Sequence, residues 1–350
     1  MRYHKRGIAM LVLSSSERSP FVLFTGIAAS FLLAGLALWL STTSALHGTG
    51  FGALTLAMLL GLLAGNLVPG RIHDALEAGL QFCKQPVLRF GVALYGLRLT
   101  VQQVQALGVQ AFVIDAVLIL STITLAIWLG TRVLRLERET AILIGAGHAI
   151  CGAAAVLASA GMVKGRNDQV AIAIACVVLF GTLGMLLYPW LFAIAPTLFG
   201  DSHGFGVFTG ATLHEVAQVV AAGQAMDPQA AEAAIVAKLI RVLLLAPFLL
   251  GLGVWLSRRS VPGGATAKVK VPLFVIGFVA CMLLNSWLPM PQDVQRMLIG
   301  ADDLLLAAAM GALGFSTRLT DLRKAGLKPL LLAFALTAQL MLLGGVLSLI

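Results

Sequence analysis

Between Thr140 and Val163 the chain reads TAILIGAGHAICGAAAVLASAGMV. The stretch is apolar and long enough to enter a bilayer. Its first half nevertheless holds Gly145, Gly147 and Gly152, and each glycine costs about 1 kcal/mol relative to alanine in a helix interior. His148 and Cys151 lie between them. Two apolar halves around a glycine-rich, mildly polar middle predict a membrane helix broken near its centre. A break frees backbone N–H and C=O groups, and hydrocarbon tolerates these only where protein or a cavity surrounds them. Secondary transporters place such breaks at their binding sites. The competing reading is a glycine-rich helix packed closely on a neighbour through its small residues.

The rest of the chain fixes the setting. Of 350 residues, 59% are hydrophobic and 11% charged, with mean hydropathy +0.96; soluble domains carry about 25% charged residues. One polytopic membrane domain over 1–350 follows, with no polar stretch long enough for a second domain. The net charge of +9 comes from basic residues strewn through short loops, which orients a membrane protein and argues against nucleic acid as a partner. Cys83, Cys151, Cys176 and Cys281 lie in or beside apolar segments without zinc-like spacing, as free buried thiols do. Residues 1–20 lack an A-x-A site after their short apolar run and read as a cytoplasmic tail rather than a cleaved signal.

Windows of about 20 apolar residues give eleven candidate spans, near 21–40, 51–69, 82–99, 110–130, 140–163, 168–190, 206–224, 231–257, 271–289, 297–315 and 329–349. With the N-terminus inside, eighteen of the 24 Lys and Arg fall on the inner side. Lys164 and Arg166 are exceptions. A re-entrant hairpin at 140–163, with a matching change at 206–224, would return them to the inner side; full spans are the expectation adopted. Short matches support it: GFGALTLA at 50–57 with GFGVFTGA at 204–211, and LIGA at 143–146 with LIGA at 298–301. Their offsets, about 154 and 155, pair five helices with five, as repeat 1 over 51–190 and repeat 2 over 206–350 after an extra first helix at 21–40. An odd shift inverts the second repeat, a transporter architecture. The expected fold is therefore all-α, with a five-plus-five inverted repeat and broken crossing helices. The partner of 140–163 would be 297–315, with Asp302 and Asp303 aligned to Gly147 and His148.

Several residues do not suit lipid, where an ionisable side chain costs about 2.5–3.5 kcal/mol at the bilayer centre. Asp115 lies in one span, His214, Glu215 and Gln218 in another, and Lys238 and Arg241 in a third. Lys238 and Arg241 share a helix face, about 10–15 Å below its start. One reading is a cationic anion site, since guanidinium forks and ammonium groups both hold oxyanions. The other is a buried pair with Glu215 that locks two helices. Asp302 and Asp303 read either as residues that bind or relay a cation or as a capped helix start near the outer surface, and Asp115 as a proton-relay residue or a structural partner of an arginine. Arg98 reads as an interfacial anchor and His148 as a packing residue. HEVAQ lacks the second histidine of H-E-x-x-H, and Cys151 with His148 lacks an orienting third group. No enzyme activity, metal or cofactor is expected, and no Walker-type motif indicates ATP use.

GFGALTLAMLLGLLAGN, LYGLRLT, GAGHAICGAAAVLA, HEVAQVVAAG, AKLIRVLLLAPFL and AGLKPLLLA together resemble the YeiH-like family of bacterial inner-membrane proteins, also named for sulfate export. The resemblance covers nearly the whole chain after the first span. It implies a multi-pass inner-membrane protein grouped with cation–proton antiporter and bile-acid-transporter-like folds. Cys151, Gly152, His214, Glu215, Gln218, Lys238, Arg241 and Asp302 fall on family-like positions; His148 and Asp303 depart from the pattern. The expectation is a secondary transporter exporting a small oxyanion, sulfate or a sulfonate-derived anion. Lys238, Arg241, Gln218, Cys151 and Gly152 would bind it. Glu215, His214, Asp302 and Asp115 would handle a coupling H+ or Na+. A homo-oligomer in the lipid bilayer is compatible with this. The alternatives are a cation/proton antiporter with the carboxylates as its site, and a membrane scaffold that transports nothing.

Overall fold

The computed structural model describes residues 20–42, 52–257, 273–288, 290–318 and 325–349. All regular structure among them is helical. Residues 1–19, all four basic residues of 258–272, and Arg323 and Lys324 lie outside the described residues, so the tail and ten of the eighteen inner-side charges rest on sequence. Among the described residues, six helices are long and apolar enough to cross a membrane, including Pro20–Ser41 (α1), Asn167–Ile194 (α8), Gln292–Ser316 (α14) and Leu327–Leu347 (α15). A fifth is the apolar part of α5 (Val101–Trp128), and a sixth combines α11 (Pro228–Leu243) with α12 (Leu245–Ser257). The span expected over 82–99 is longer. α3 (Gly70–Phe82) runs through a π-turn at Cys83–Val87, which contains Pro86, into α4 (Leu88–Tyr95) and a 3-10 turn at Gly96–Arg98. Proline removes a backbone donor and forces such local rewinding.

The stretch 140–163 is broken as its glycines predict, but it does not cross. Arg138–Ala149 (α6) and Ala153–Val163 (α7) are joined by a turn at Ile150–Gly152. They fold back side by side. A Cβ on Gly147 would come within 2.8 Å of Val156 Cγ2, and one on Gly165 within 2.9 Å of Leu143 Cδ1. At the base, Arg166 Nη1 donates to Glu137 Oε2 at 2.7 Å and Gln169 Nε2 donates to the same oxygen at 2.8 Å. Each arm is about 17 Å long, roughly half the hydrocarbon thickness. This is a re-entrant hairpin with its tip near the middle of the bundle, and the full span expected here is corrected.

The stretch 206–224 is corrected in the same way. Ser202–Thr212 (α9) and Val216–Gln224 (α10) flank a break at Leu213–Glu215. Gly206 lies against Ala230 and Ala233, and Gly210 against Ala234 and Ala237, so α9 runs alongside α11 in the same direction. Gly223, at the far end of α10, lies against Ala231, so α10 runs back. The two hairpins enter from opposite ends. The base of the second sits at the start of α11. The base of the first sits at the end of α12, where Arg138 stacks 4.4 Å over the Trp255 ring.

The repeat pairing fails with these assignments. α14 runs unbroken through Asp302 and Asp303. The helix matched to 206–224, Ala53–Leu67 (α2), is also unbroken. Four- to eight-residue matches between apolar helices did not identify structural equivalents.

Two groups of helices result. The first comprises α1–α4, α14 and α13 (Leu273–Trp287). It is packed backbone to backbone where Gly61, Gly65 and Gly314 bring α2 onto α14. The second comprises α5–α12 and α15 and contains both hairpins. The groups meet chiefly through α10, which touches α2, α4 and α14, and through a contact of α13 with α5.

Candidate functional site

The two hairpin tips meet in the second group, and each half-helix end there has a counter-charge. Ala149, Ile150, Ala211 and Leu213 supply the carbonyls at the C-terminal ends of α6 and α9. Lys238 Nζ donates to Ile150 O at 2.7 Å and Leu213 O at 2.6 Å. Arg241 Nε donates to Ala149 O at 2.6 Å, and its Nη1 donates to Ala211 O. Helix C-termini carry partial negative charge and four unpaired carbonyls. The i, i+3 spacing of Lys238 and Arg241 on α11 therefore staples both tips at once.

This corrects the role expected of the two cations. Both are fully buried, and the donors that find partners, Lys238 Nζ and Arg241 Nε and Nη1, serve backbone carbonyls. The locking alternative also changes, because carbonyls rather than Glu215 are the partners. Asp115 Oδ1 stands 3.8 Å from Arg241 Nε, so Asp115 is a buried counter-charge to Arg241. Neither Asp115 oxygen, nor Arg241 Nη2, has a hydrogen-bond partner among the described residues.

The opposite side of the tips presents N-terminal ends. Glu215 is the N-cap of α10, and its carboxylate accepts from the backbone N–H of Gln218 while Gln218 Oε1 accepts from Glu215 N at 3.2 Å. The same carboxylate accepts from Ala153 N, at the start of α7, at 3.3 Å. Two helix N-termini thus converge on one side chain, a geometry that favours an anion. Gly152 makes the approach workable. Its φ of +67° suits glycine, and a Cβ there would stand 2.9 Å from Glu215 Oε1. Cys151 borders this junction at 8% exposure. His214 packs edge-on to His148 with ring centroids 4.5 Å apart, and His148 Nδ1 donates to Ile144 O at 2.9 Å. The Nε2 of His148, like both ring nitrogens of His214, is buried without a hydrogen-bond partner among the described residues, so His148 packs but is not fully satisfied.

Glu215 is half-buried, in contrast to Lys238 and Arg241, so the N-terminal side is the open one. It faces the first group of helices. Lys84, in the π-turn across the gap, is an electrostatic neighbour of Glu215. Lys84 is not among the site residues expected from the sequence. Its signal was a lysine two residues before a proline inside an apolar helix.

Asp302 does not join this junction. Arg98 Nε donates to Asp302 Oδ2 at 3.1 Å and Arg98 Nη2 to Asp303 Oδ1 at 2.5 Å. Gln224 Nε2, at the end of α10, reaches Asp303 Oδ1 at 3.4 Å. Arg98 is therefore a half-buried partner of both aspartates rather than a surface anchor, and this cluster ties the far end of the second hairpin to α14. Among the described residues no three His, Cys, Asp or Glu side chains are grouped to hold a metal.

A helical membrane protein whose two re-entrant hairpins meet tip to tip is the class these features define. The family model described as "Conserved hypothetical protein 698" matches residues 25–333. The chain is 44% identical over 339 residues to the UPF0324 inner membrane protein YeiH of Salmonella typhi, covering 97% of each chain. It is 47% identical over 333 residues to the UPF0324 membrane protein PA5383 of Pseudomonas aeruginosa, covering 93% of this chain and 94% of the relative. It is 42% identical to YeiH of Escherichia coli K12 over 339 residues. The chain belongs to the YeiH (UPF0324) family of membrane proteins. No solved structure matches it.

Proposed function

We propose that the chain is a secondary transporter of a small oxyanion, such as sulfate or a sulfonate-derived anion, in the bacterial inner membrane. The observation that carries this reading is the convergence of two half-helix N-termini on Glu215, at the open face between two groups of helices. Backbone N–H donors of Ala153 and Gln218, with the ammonium of Lys84, form the anion seat. Glu215 already occupies it with a carboxylate. Protonation of Glu215 frees the donors, which links proton and anion binding. Lys238, Arg241 and Asp115 hold the tips in shape. Movement of the hairpin-bearing group against the other provides alternating access. The thin contact through α10 supports that motion.

Orientation follows from charge. Lys164 and Arg166 share an end with Arg132, Arg135 and Arg138, which supports reading that end as cytoplasmic, with the N-terminus inside and the C-terminus outside.

Flux of sulfate, sulfite and small sulfonates in proteoliposomes tests the proposal. Anion flux is expected, with affinity weakened by Lys84→Gln and pH dependence removed by Glu215→Gln. Cation-for-proton exchange that survives Lys84→Gln, or no flux from protein that still melts cooperatively, would overturn it.

A further inference from the structure

Away from the hairpin junction, a groove of about 1080 Å³ opens between α5 and α12. Its walls are aliphatic and aromatic, with Ile123 and Ile127 on one side and Phe248 and Leu252 on the other. It extends along α5 from Ala116 to Thr131, about 22 Å at the helical rise, which exceeds the roughly 15 Å of one leaflet's hydrocarbon. One end is different in kind. Arg132 and Arg138 line it, where a π-turn at Leu129–Val133 widens the end of α5. Arg138 Cζ lies 4.4 Å from the Trp255 ring centroid, and its buried Nη2 has no hydrogen-bond partner among the described residues. Arg135, three residues before Arg138, is exposed. Trp128 and Trp255 stand at the same level, where tryptophan marks a membrane interface.

We infer that this groove binds an anionic phospholipid, with an acyl chain along α5 and α12 and its phosphate on Arg132 and Arg138. A long apolar channel with a cationic mouth matches an amphipathic anion end to end. A second copy of the chain is a poorer occupant, because a twofold contact would set one arginine rim against another. The lipid would sit against the base of the first hairpin, since Leu136 and Arg138 belong both to the groove and to the entry of α6. The inference is independent of which solute the hairpin tips hold.

Native mass spectrometry of the delipidated full chain, titrated with phosphatidylglycerol and phosphatidylcholine, tests it. Phosphatidylglycerol is expected to be retained in preference to phosphatidylcholine. Each of Arg132→Gln and Arg138→Gln should weaken that preference about fivefold. Gly251 lines the groove, and a side chain there would meet nothing within 4 Å. Gly251→Leu should therefore fill the channel and lower retention of both lipids while the protein melts as the parent does. Equal retention of the two lipids, arginine variants that bind like the parent, or Gly251→Leu changing the dimer fraction instead of lipid adducts would each overturn the inference.

Discussion

Lys238→Met separates a staple from a solute ligand. Methionine keeps the length of the side chain and removes its donors. In the parent, Lys238 Nζ serves Ile150 O and Leu213 O at 2.7 and 2.6 Å, both inside the protein. Leaving a buried acceptor unsatisfied costs about 1–3 kcal/mol, so two of them cost roughly 2–6 kcal/mol. Removing a buried cation returns part of this, because its desolvation is no longer borne. A net destabilisation of about 2–4 kcal/mol is expected. Lys238→Gln, whose amide keeps donors on a shorter stem, should lose about half as much. The assay is thermal unfolding of detergent-purified protein with no solute present, read by intrinsic fluorescence. A solute ligand would behave in the opposite way, since relieving Lys238–Arg241 repulsion in the empty site would stabilise the protein. A Lys238→Met variant that melts at or above the parent's temperature while losing flux would refute the staple.

Further outcomes follow from the hairpins. Single cysteines at Arg135 and Lys164 in a chain freed of its native cysteines should both react with a membrane-impermeant maleimide from the same side; a full span at 140–163 requires opposite sides. Gly152→Ala places a Cβ against Glu215 in a backbone conformation few L-residues adopt. It should cost about 3–5 kcal/mol from strain and the lost Ala153 contact, and a variant with the parent's melting temperature and flux would contradict the tip geometry. The exposed Glu137 carboxyl is held below its ordinary range by hydrogen bonds from Arg166. Its contribution is therefore present above the usual carboxylate range and lost as pH falls through the lowered value. Arg166→Gln should melt below the parent near neutral pH and level with it in acid; a gap that widens in acid would disprove the clamp.

The break at 140–163 was legible because glycine marks it three times. The break at 213–215 carries no glycine, and a change at 206–224 entered only as the counterpart of the re-entrant alternative, not as the reading adopted. Its signal is a capping box inside an apolar run, Glu215 with Gln218 three residues on, which begins a helix where periodicity alone continues one. Direction of travel was hidden for a physical reason. A full span and a two-armed hairpin bury similar lengths of apolar sequence, so hydropathy does not distinguish them. The basic residues did. Lys164 and Arg166 broke the charge asymmetry, and that exception was the hairpin itself. His214, Glu215, Gln218, Lys238 and Arg241 lie together at the hairpin tips, as the cost of polarity in lipid favours, while Asp302, expected with them, pairs with Arg98 instead. Which of them face backbone and which face the gap depends on the polarity of each half-helix, and that becomes readable only once both breaks are placed.

Counting those polarities gives a last expectation. A helix end carries about half an elementary charge. The C-terminal ends of α6 and α9 together present about one negative charge, and with Asp115 they balance Lys238 and Arg241. On the other face the N-terminal ends of α7 and α10 present about one positive charge, which ionised Glu215 cancels. Lys84 then leaves the gap with about one positive charge, suited to a sulfonate. With Glu215 protonated the surplus is about two positive charges, suited to sulfate. Acidification should therefore raise affinity for the dianion more than for the monoanion, and Glu215→Gln should fix the ratio at its acidic value across pH. Competition measurements of sulfate against a small sulfonate in proteoliposomes read that ratio directly. If it stays flat with pH in the parent, Glu215 does not gate the charge of the seat, and the linkage between proton and anion fails with it.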